Sequence, residues 1–387
     1  MVHTITPKVS VVMSVCDGER YLRDSVESIC NQTLDDFELI VVDDGSTDGT
    51  WQILSEYAAR DSRVSLIRNE QNVGLTKSLN KALALVRGQY VARHDADDLA
   101  FPSRLEQQVR FLDEHVEVGL IGASSYVVDE HGRVVDIYRV PSTDVEIRWR
   151  MLFSNPFIHC TIMFRSSLVE QVGSYDEKIR FAQDYDYWVR IAEVCQLFNI
   201  ARPLASWRLN TRSISQTRGR SQQASALRTS VDQVSKCIRR IGLVNAQTWG
   251  PDRIQALCKL GRGQFDSLDP ETTVSTVEDY LWFTNEYLEH DVRQDDTWRK
   301  GSGSILPNAE NVALSAVGYF SLSGYREVGV NILMLLRNKN SRLFLSPVAW
   351  RTLTKIMAKR GWPRWILQIA RSFRGVLLSA RYRISVD

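Results

Sequence analysis

The sequence predicts an α/β fold with a mostly parallel central sheet flanked by helices, followed by a mainly α-helical C-terminal region. Three observations carry this. The first hundred residues alternate β-branched apolar runs with helically spaced segments, in the order βαβαβαβ. Two of the strand-like runs end directly in acidic clusters, Asp43-Asp44-Gly45-Ser46 and Asp95-Ala96-Asp97-Asp98. Beyond Ser215 the pattern changes to helices with polar faces.

Taken in order, Val9-Ser-Val-Val-Met-Ser-Val15 is β-branched and apolar and suits a buried strand. Residues 21–31 place Leu22, Val26 and Ile29 at helical spacing. A second strand over 37–42 stops at Asp43, a helix covers 51–59, and a third strand covers 64–67. The helix over 75–86 is halted by Gly88, and the short strand 90–92 runs into Asp95. Ligands of parallel sheets sit at the C-terminal strand edge, so both acidic clusters should line that edge. Between 104 and 208 the pattern is mixed. A helix is expected over 104–114, strands over 118–121 and 133–138, an apolar run over 160–164, and a Trp-bearing helix over 185–192. Farther on, Asp269 as N-cap and Pro270 at the first helical position open an amphipathic run to Leu288. The expected organisation is an α/β domain over 1–215, a helical region over 216–336 and a basic amphipathic tail over 337–387.

Composition sets outer bounds. The 387 residues are 44% hydrophobic and 24% charged, as in ordinary globular proteins. No run of about 18 apolar residues occurs, so no transmembrane helix is expected. The N-terminus lacks a charged-then-apolar secretory pattern. Six widely spaced cysteines without a C-x-x-C pair argue against a zinc site or disulfide framework and fit a reducing, cytoplasmic setting.

The net charge of +2 hides an asymmetry. Residues 337–387 hold twelve basic residues and one acid, a net of +11, which leaves 36 basic and 45 acidic residues, a net of −9, in the first 336. In the tail, Trp350, Leu353 and Met357 fall on one helical face and Arg351, Lys355 and Lys359 on another. Trp365, Ile369, Phe373 and Val376 likewise oppose Arg371, Arg374 and Arg381. Such helices suit an anionic membrane surface, at about 1 kcal/mol per basic residue. The alternative is that the tail packs on the acidic body. Nucleic acid is not an expected partner, because no recognised module accompanies the charge.

The acidic residues each allow two readings. Asp95-x-Asp97 can serve as oxygen ligands for a hard divalent cation, or be a solvated turn. Asp44 can accept hydrogen bonds from a ligand, while Ser46 or Asp48 caps a helix. Asp184 and Asp186 open a helix, where carboxylates also favour the macrodipole, and an acid/base role is the sharper reading. His159 is either a satisfied structural histidine or a site residue. Neither a dinucleotide nor a P-loop fingerprint is present.

Together these residues resemble the family 2 glycosyltransferases, inverting nucleotide-sugar enzymes with a GT-A fold. The likeness lies in ordered motifs over about residues 7–215. They are the first strand, Phe37-Glu-Leu-Ile-Val-Val-Asp-Asp-Gly-Ser-Thr-Asp48, Asn72-Val-Gly74 with Asn80, Gly88-Gln-Tyr-Val-Ala-Arg-His-Asp-Ala-Asp-Asp98, Pro102-Ser-Arg-Leu105 with Gln108, Asn155-Pro-Phe-Ile-His159 and Gln183-Asp-Tyr-Asp-Tyr-Trp188. The resemblance implies Asp97 as direct metal ligand, Asp95 as its partner toward ribose or metal, and Asp44 as a contact to the base. It implies Asp184 as catalytic base. Ser14, Asp17, Lys77 and Arg93 join the nucleotide side, and His159, Asp186 and Trp188 the vicinity of diphosphate or acceptor. The implied cofactor is Mn2+ or Mg2+. The implied partners are a nucleotide-sugar donor, with UDP-sugars favoured, and a saccharide or lipid-linked saccharide acceptor in cell-surface polysaccharide biosynthesis. The implied enzyme is of the hexosyltransferase type, placed in the cytoplasm or peripherally at the inner membrane face.

Three departures stand out. Cys16-Asp17-Gly18 replaces the common Tyr-Asn-Gly, Gln183 replaces Glu, and Trp207-Arg-Leu-Asn210 replaces Tyr-Arg-x-His. Two other classes compete. A nucleotidyltransferase would carry a Gly-rich basic loop after the first strand, of which Val15-Cys-Asp-Gly-Glu-Arg20 is a poor version. A scaffold subunit would not need Asp44, Asp95, Asp97 and Asp184 intact.

Overall fold

All seven residues of β1, Val9–Val15, are buried, and so are all seven of β2, Phe37–Asp43. A strand without a solvent face must be covered on both sides, which explains its unbroken apolar run. The computed structural model shows this cover. It describes residues 6–210, 219–243 and 249–292, with the isolated helical positions 305, 309, 312, 313, 316 and 332. The expected boundary at 215/216 and the basic tail lie outside the described residues.

β1 pairs in parallel with β2 on one side and with β4, Tyr90–Arg93, on the other; β3, Val64–Arg68, pairs in parallel with β2. The crossovers are α1, Leu22–Cys30, α2, Thr50–Arg60, and α3, Leu75–Leu83. Side chains alternate across this sheet. Val12, Ile40, Val42 and Val91 pack with Leu79 and Ala82 of α3 and with Trp188 of α7, Gln183–Ala192. Val11, Met13, Leu39 and Val41 pack the other way, against Leu22 and Val26 of α1 and Leu105 of α4, Arg104–Glu114.

Beyond β4 the sheet changes direction. β8, Met163–Arg165, lies antiparallel between β4 and β6, Val118–Val128. β6 then pairs in parallel with β9, Gln196–Arg208, which carries the two-residue β5, Leu99–Ala100, at its far edge. The order is β3-β2-β1-β4-β8-β6-β9-β5, and β7, Val134–Tyr138, pairs with β6 alone. The parallel arrangement expected from sequence therefore holds for the first four strands, and the remainder is mixed.

Four elements differ from expectation. β9 was not anticipated, and β6 runs to Val128 instead of stopping at 121. Helix α5, Asp144–Met151, opens with a capping box in which the Thr143 hydroxyl accepts from the Glu146 N–H and the Glu146 carboxylate accepts from the Thr143 N–H. The helix expected from Asp269 begins later, at Thr273, with Thr272 as N-cap; Asp269 instead accepts from the Glu271 N–H and the Thr272 hydroxyl in the preceding turn.

The chain divides into two compact units, 1–233 and 234–387. In the second, Pro251–Gly261 starts with proline, as a first helical turn allows, and Arg253 lies over Trp249 and ion-pairs with Asp279 of Thr273–Tyr287. Among the described residues no helix is long and apolar enough to cross a membrane.

One buried side chain joins the two halves of the first unit's sheet. Arg104 is fully buried at the start of α4. Its guanidinium donates to the Arg93 carbonyl at 2.7 Å, the Ile162 carbonyl at 3.1 Å and the Gln108 side-chain oxygen at 3.2 Å, and meets His94 Nδ1 at 3.2 Å. Gln108 continues the chain to the Thr161 carbonyl at 2.7 Å. Replacing Arg104 by Ala strips buried carbonyls of donors and leaves a void. We expect Arg104→Ala to lower unfolding free energy by about 3 kcal/mol or more in urea titrations, with Arg104→Lys recovering only part.

Candidate functional site

The C-terminal ends of β1, β2 and β4 meet a cavity of about 1080 Å³. Ser14, Asp17, Asp44, Lys77, Asp95, Asp97, His159 and Asp184 all line it. Ser14 is nearly buried on β1, and Lys77 is exposed on α3.

The β1 and β2 loops are stitched together. Asp17 adopts a left-handed backbone, φ 52°. Its carboxylate accepts from the Thr47 N–H at 2.8 Å, and its own N–H donates to Ser46 Oγ at 3.0 Å. Asp44 is buried and accepts from Asn69 Nδ2 at 2.8 Å, the Val73 N–H at 2.9 Å and the Gly74 N–H at 2.9 Å. It therefore folds the 72–74 loop into the cavity wall. Gly45 permits this approach: its φ is +71°, and a Cβ there would sit 2.5 Å from the Gln71 carbonyl carbon.

At the end of β4, Arg93 Nη2 donates to Asp95 Oδ1 at 2.5 Å, and the other Asp95 oxygen lies 3.8 Å from His159 Nδ1. Burial pushes the Asp95 carboxyl up, but the charge and hydrogen bond of the Arg93 guanidinium outweigh it and hold Asp95 below the usual carboxylate range. Asp97 behaves oppositely. Burial, then the neighbouring Asp95 charge, push it above its ordinary value, against a hydrogen bond from Asn210 Nδ2 at 3.3 Å, its own main-chain N–H and the Arg208 charge. Asp98 points inward, fully buried, and accepts from the Arg208 N–H at 2.8 Å. Burial and the Asp97 and Asp95 charges push it well up, and burial likewise raises its neighbour Cys160.

Acidic or sulfur atoms of Asp95, Asp98 and Cys160 lie within 4.8 Å of one another. A hard cation prefers oxygen, and a fully buried, undissociated thiol is a poor ligand for it. Asp95 and Asp97, which face the cavity, form the better donor set. The upshifted Asp97 fits a cation, because a positive charge would offset both causes of its shift.

On the opposite wall, Asp184 sits in the first turn of α7, behind Ala182 in a left-handed conformation, φ 56°. Its Oδ2 accepts from Asn155 Nδ2 at 2.8 Å. His159 Nε2 lies 3.4 Å from the Tyr175 hydroxyl; burial, then Arg93, lowers the His159 pKa, which favours the neutral ring.

Three expected site residues sit elsewhere. Arg93 is fully buried and does not line the cavity; it reaches a ligand only through Asp95. Trp188 is fully buried among Phe157, His159, Phe164, Tyr175 and Tyr187, where its bulk supports the wall from behind. Asp186 turns from the cavity to pair with Arg190 at 3.0 Å, as helical i,i+4 spacing permits. Conversely, Asn72, Asn155, Arg180, Gln183 and Asn210 line the cavity without having been assigned roles. Arg208, whose Nε donates to the Asp97 carbonyl at 2.9 Å, was signalled only by its motif neighbours.

The fold and the facing carboxylates are those expected of a sugar-transfer enzyme of GT-A architecture. The family model "Glycosyl transferase family 2" matches residues 10–173. Bacillus subtilis EpsE is 42% identical over 194 residues, 48% of this chain and 67% of EpsE. The amylovoran biosynthesis glycosyltransferase AmsE of Erwinia amylovora is 33% identical, over 47% of this chain and 68% of its own. The O-antigen biosynthesis glycosyltransferase WbnJ of Escherichia coli is 30% identical, over 54% and 82%. Among solved structures, S. aureus TarS 1-349 in complex with UDP aligns over 79% of this chain and 90% of that chain at 19% identity and a TM-score of 0.49. The chain belongs to glycosyl transferase family 2 and is a glycosyltransferase.

The Asp44 bonds yield a local test. In Asp44→Asn the amide nitrogen faces N–H donors. Stability should fall by about 2 kcal/mol, and the Val73 and Gly74 amide protons should exchange at least tenfold faster.

Proposed function

We propose that this glycosyltransferase moves a sugar from a nucleotide-sugar donor, with UDP-sugars favoured, to a saccharide or lipid-linked saccharide acceptor. The product is a cell-surface polysaccharide, a context supported by the biosynthetic names of AmsE and WbnJ. The observation that carries the reading is one cavity lined by the Asp44-organised loop, by Asp95 and Asp97, and by Asp184. In this reading the nucleoside lies against Ser14, Asp17 and the Asp44 loop, with Lys77 near the phosphates. Asp184 accepts the acceptor hydroxyl proton as the oxygen attacks the anomeric carbon. The new C–O bond forms as the bond to phosphate breaks, and the nucleoside diphosphate leaves with the electron pair. Attack opposite the leaving group inverts the configuration.

Asp97 and Asp95 would hold a divalent cation, Mn2+ or Mg2+, which as a Lewis acid supplies neutralising charge to the diphosphate. His159, beside Asp95, would meet the diphosphate or the acceptor. Family membership favours this chemistry over nucleotidyl transfer, and the retained carboxylates favour it over a scaffold role.

Asp184→Asn and Asp97→Ala should each cut turnover at least a hundredfold, and Asp184→Asn should still bind donor in calorimetry. Wild-type turnover in Asp184→Asn would remove it as base. Chelation with EDTA should abolish transfer, and Mn2+ or Mg2+ should restore it. We assign the basic segment 337–387 a peripheral role at the inner membrane face. Its deletion should abolish binding to anionic liposomes, and unchanged binding would refute that role.

A further inference from the structure

We infer that Asn155 is a positioning residue for the transfer step: its side-chain amide anchors one oxygen of Asp184 and leaves the other free for the acceptor hydroxyl. This rests on Asp184 being the proton acceptor.

The amide orientation is fixed by the chain itself. The Phe157 N–H donates to Asn155 Oδ1 at 3.1 Å, so that oxygen faces its own backbone and Nδ2 faces Asp184 Oδ2 at 2.8 Å. Pro156 follows, which disfavours helical backbone at Asn155. The Pro156 carbonyl accepts from Asn199 Nδ2 at 3.3 Å, tying the loop to β9. The donor is therefore presented from a braced loop and not from a free side chain. Among the described residues, Asn155 is the hydrogen-bond partner of the Asp184 carboxylate, and Oδ1 has none.

The chemistry favours an amide here. A lysine or arginine would hold a carboxylate firmly as the anion and weaken it as a proton acceptor. A neutral amide orients the group without that penalty. A carboxylate without any partner would rotate away from the line of attack, and displacement by about 1 Å can cost a hundredfold in rate.

The isosteric Asn155→Asp variant keeps an acceptor for the Phe157 N–H but sets a second carboxylate against Asp184, so Asn155→Ala, which removes the donor and adds no charge, is read beside it. Turnover is read as nucleoside diphosphate release from UDP-glucose, UDP-N-acetylglucosamine and GDP-mannose, alongside melting temperature. Asn155→Asp and Asn155→Ala should lower kcat tenfold to a hundredfold, with donor KM and melting temperature close to wild type. In an Asp184→Asn background, Asn155→Asp should cause no further loss. Turnover within twofold of wild type would overturn the proposal, as would a loss carried undiminished into the Asp184→Asn background, or one matched by a fall in melting temperature. Asp184→Asn measured alone judges the base assignment separately: full turnover there sinks that reading, whatever Asn155 does.

Discussion

The buried Arg104 guanidinium is the constraint on which the site's geometry rests. It has no carboxylate partner in hydrogen-bond contact; its protons go to two main-chain carbonyls, one amide oxygen and one ring nitrogen. Burial pushes its pKa down to about 10, yet it stays charged at neutral pH. Its neighbour His94 answers to the same field. Burial and the Arg104 charge lower the His94 pKa to about 3, so the ring is neutral and Nδ1 can accept. A buried cation is tolerated only when its donors are satisfied. The carbonyls that satisfy it belong to the end of β4, which carries Asp95, and to the segment after His159. A turn whose role is only to bridge strands could drift; one bonded to a buried charge cannot without exposing that charge's need for partners.

Hydrogen-bond saturation separates the carboxylates by task. Asp43, Asp44 and Asp98 are buried and accept main-chain N–H donors from Ser46, from Val73 and Gly74, and from Arg208. Their charges or protons are committed to loop shape. Asp97 and Asp184 each accept one side-chain amide and face the cavity. Unused lone pairs there remain available to a ligand. The acidic run Asp95-Ala96-Asp97-Asp98 thus contains two kinds of aspartate, and the fourth residue braces the loop that presents the third.

Much of the first half was legible. Strands β1, β2 and β4 are continuous apolar runs ended by aspartates, and α1 to α4 appear within a few residues of their expected limits. β9 was not legible because Asn199, Arg202 and Pro203 interrupt its pattern, and its pairing with β6 shifts register near Pro203. The α5 capping box was present as Thr143-x-x-Glu146 and went unread among mixed signals. At the site, ordered motifs located the carboxylates but not their partners. Hydrogen bonds such as Asn155 to Asp184 join positions 29 apart, and Arg208 reaches Asp97 across 111. No local pattern encodes such pairs. Motif spacing also could not separate Trp188, which faces inward, from Asp184 on the same helix, since the rotation of α7 is set by packing of Trp188 against Phe157, Phe164 and Tyr175.

The strained backbone falls where this division predicts. Among the described residues, the two non-glycine residues with positive φ are Asp17 and Ala182, and both line the cavity. A left-handed residue with a Cβ costs roughly 1–2 kcal/mol and persists only where its surroundings over-determine it. Asp17 is held by Ser46 and Thr47, whereas Ala182 is held by its burial at the head of α7. One strained turn shapes the loop against the nucleoside wall. The other starts the helix that carries Asp184. Relaxing either would let its loop settle into ordinary backbone, but would move a donor-side or an acceptor-side group relative to Asp95 and Asp97, which Arg93 and Arg104 hold in place. The strain is thus the local cost of bringing two independently anchored walls to face one pair of carboxylates.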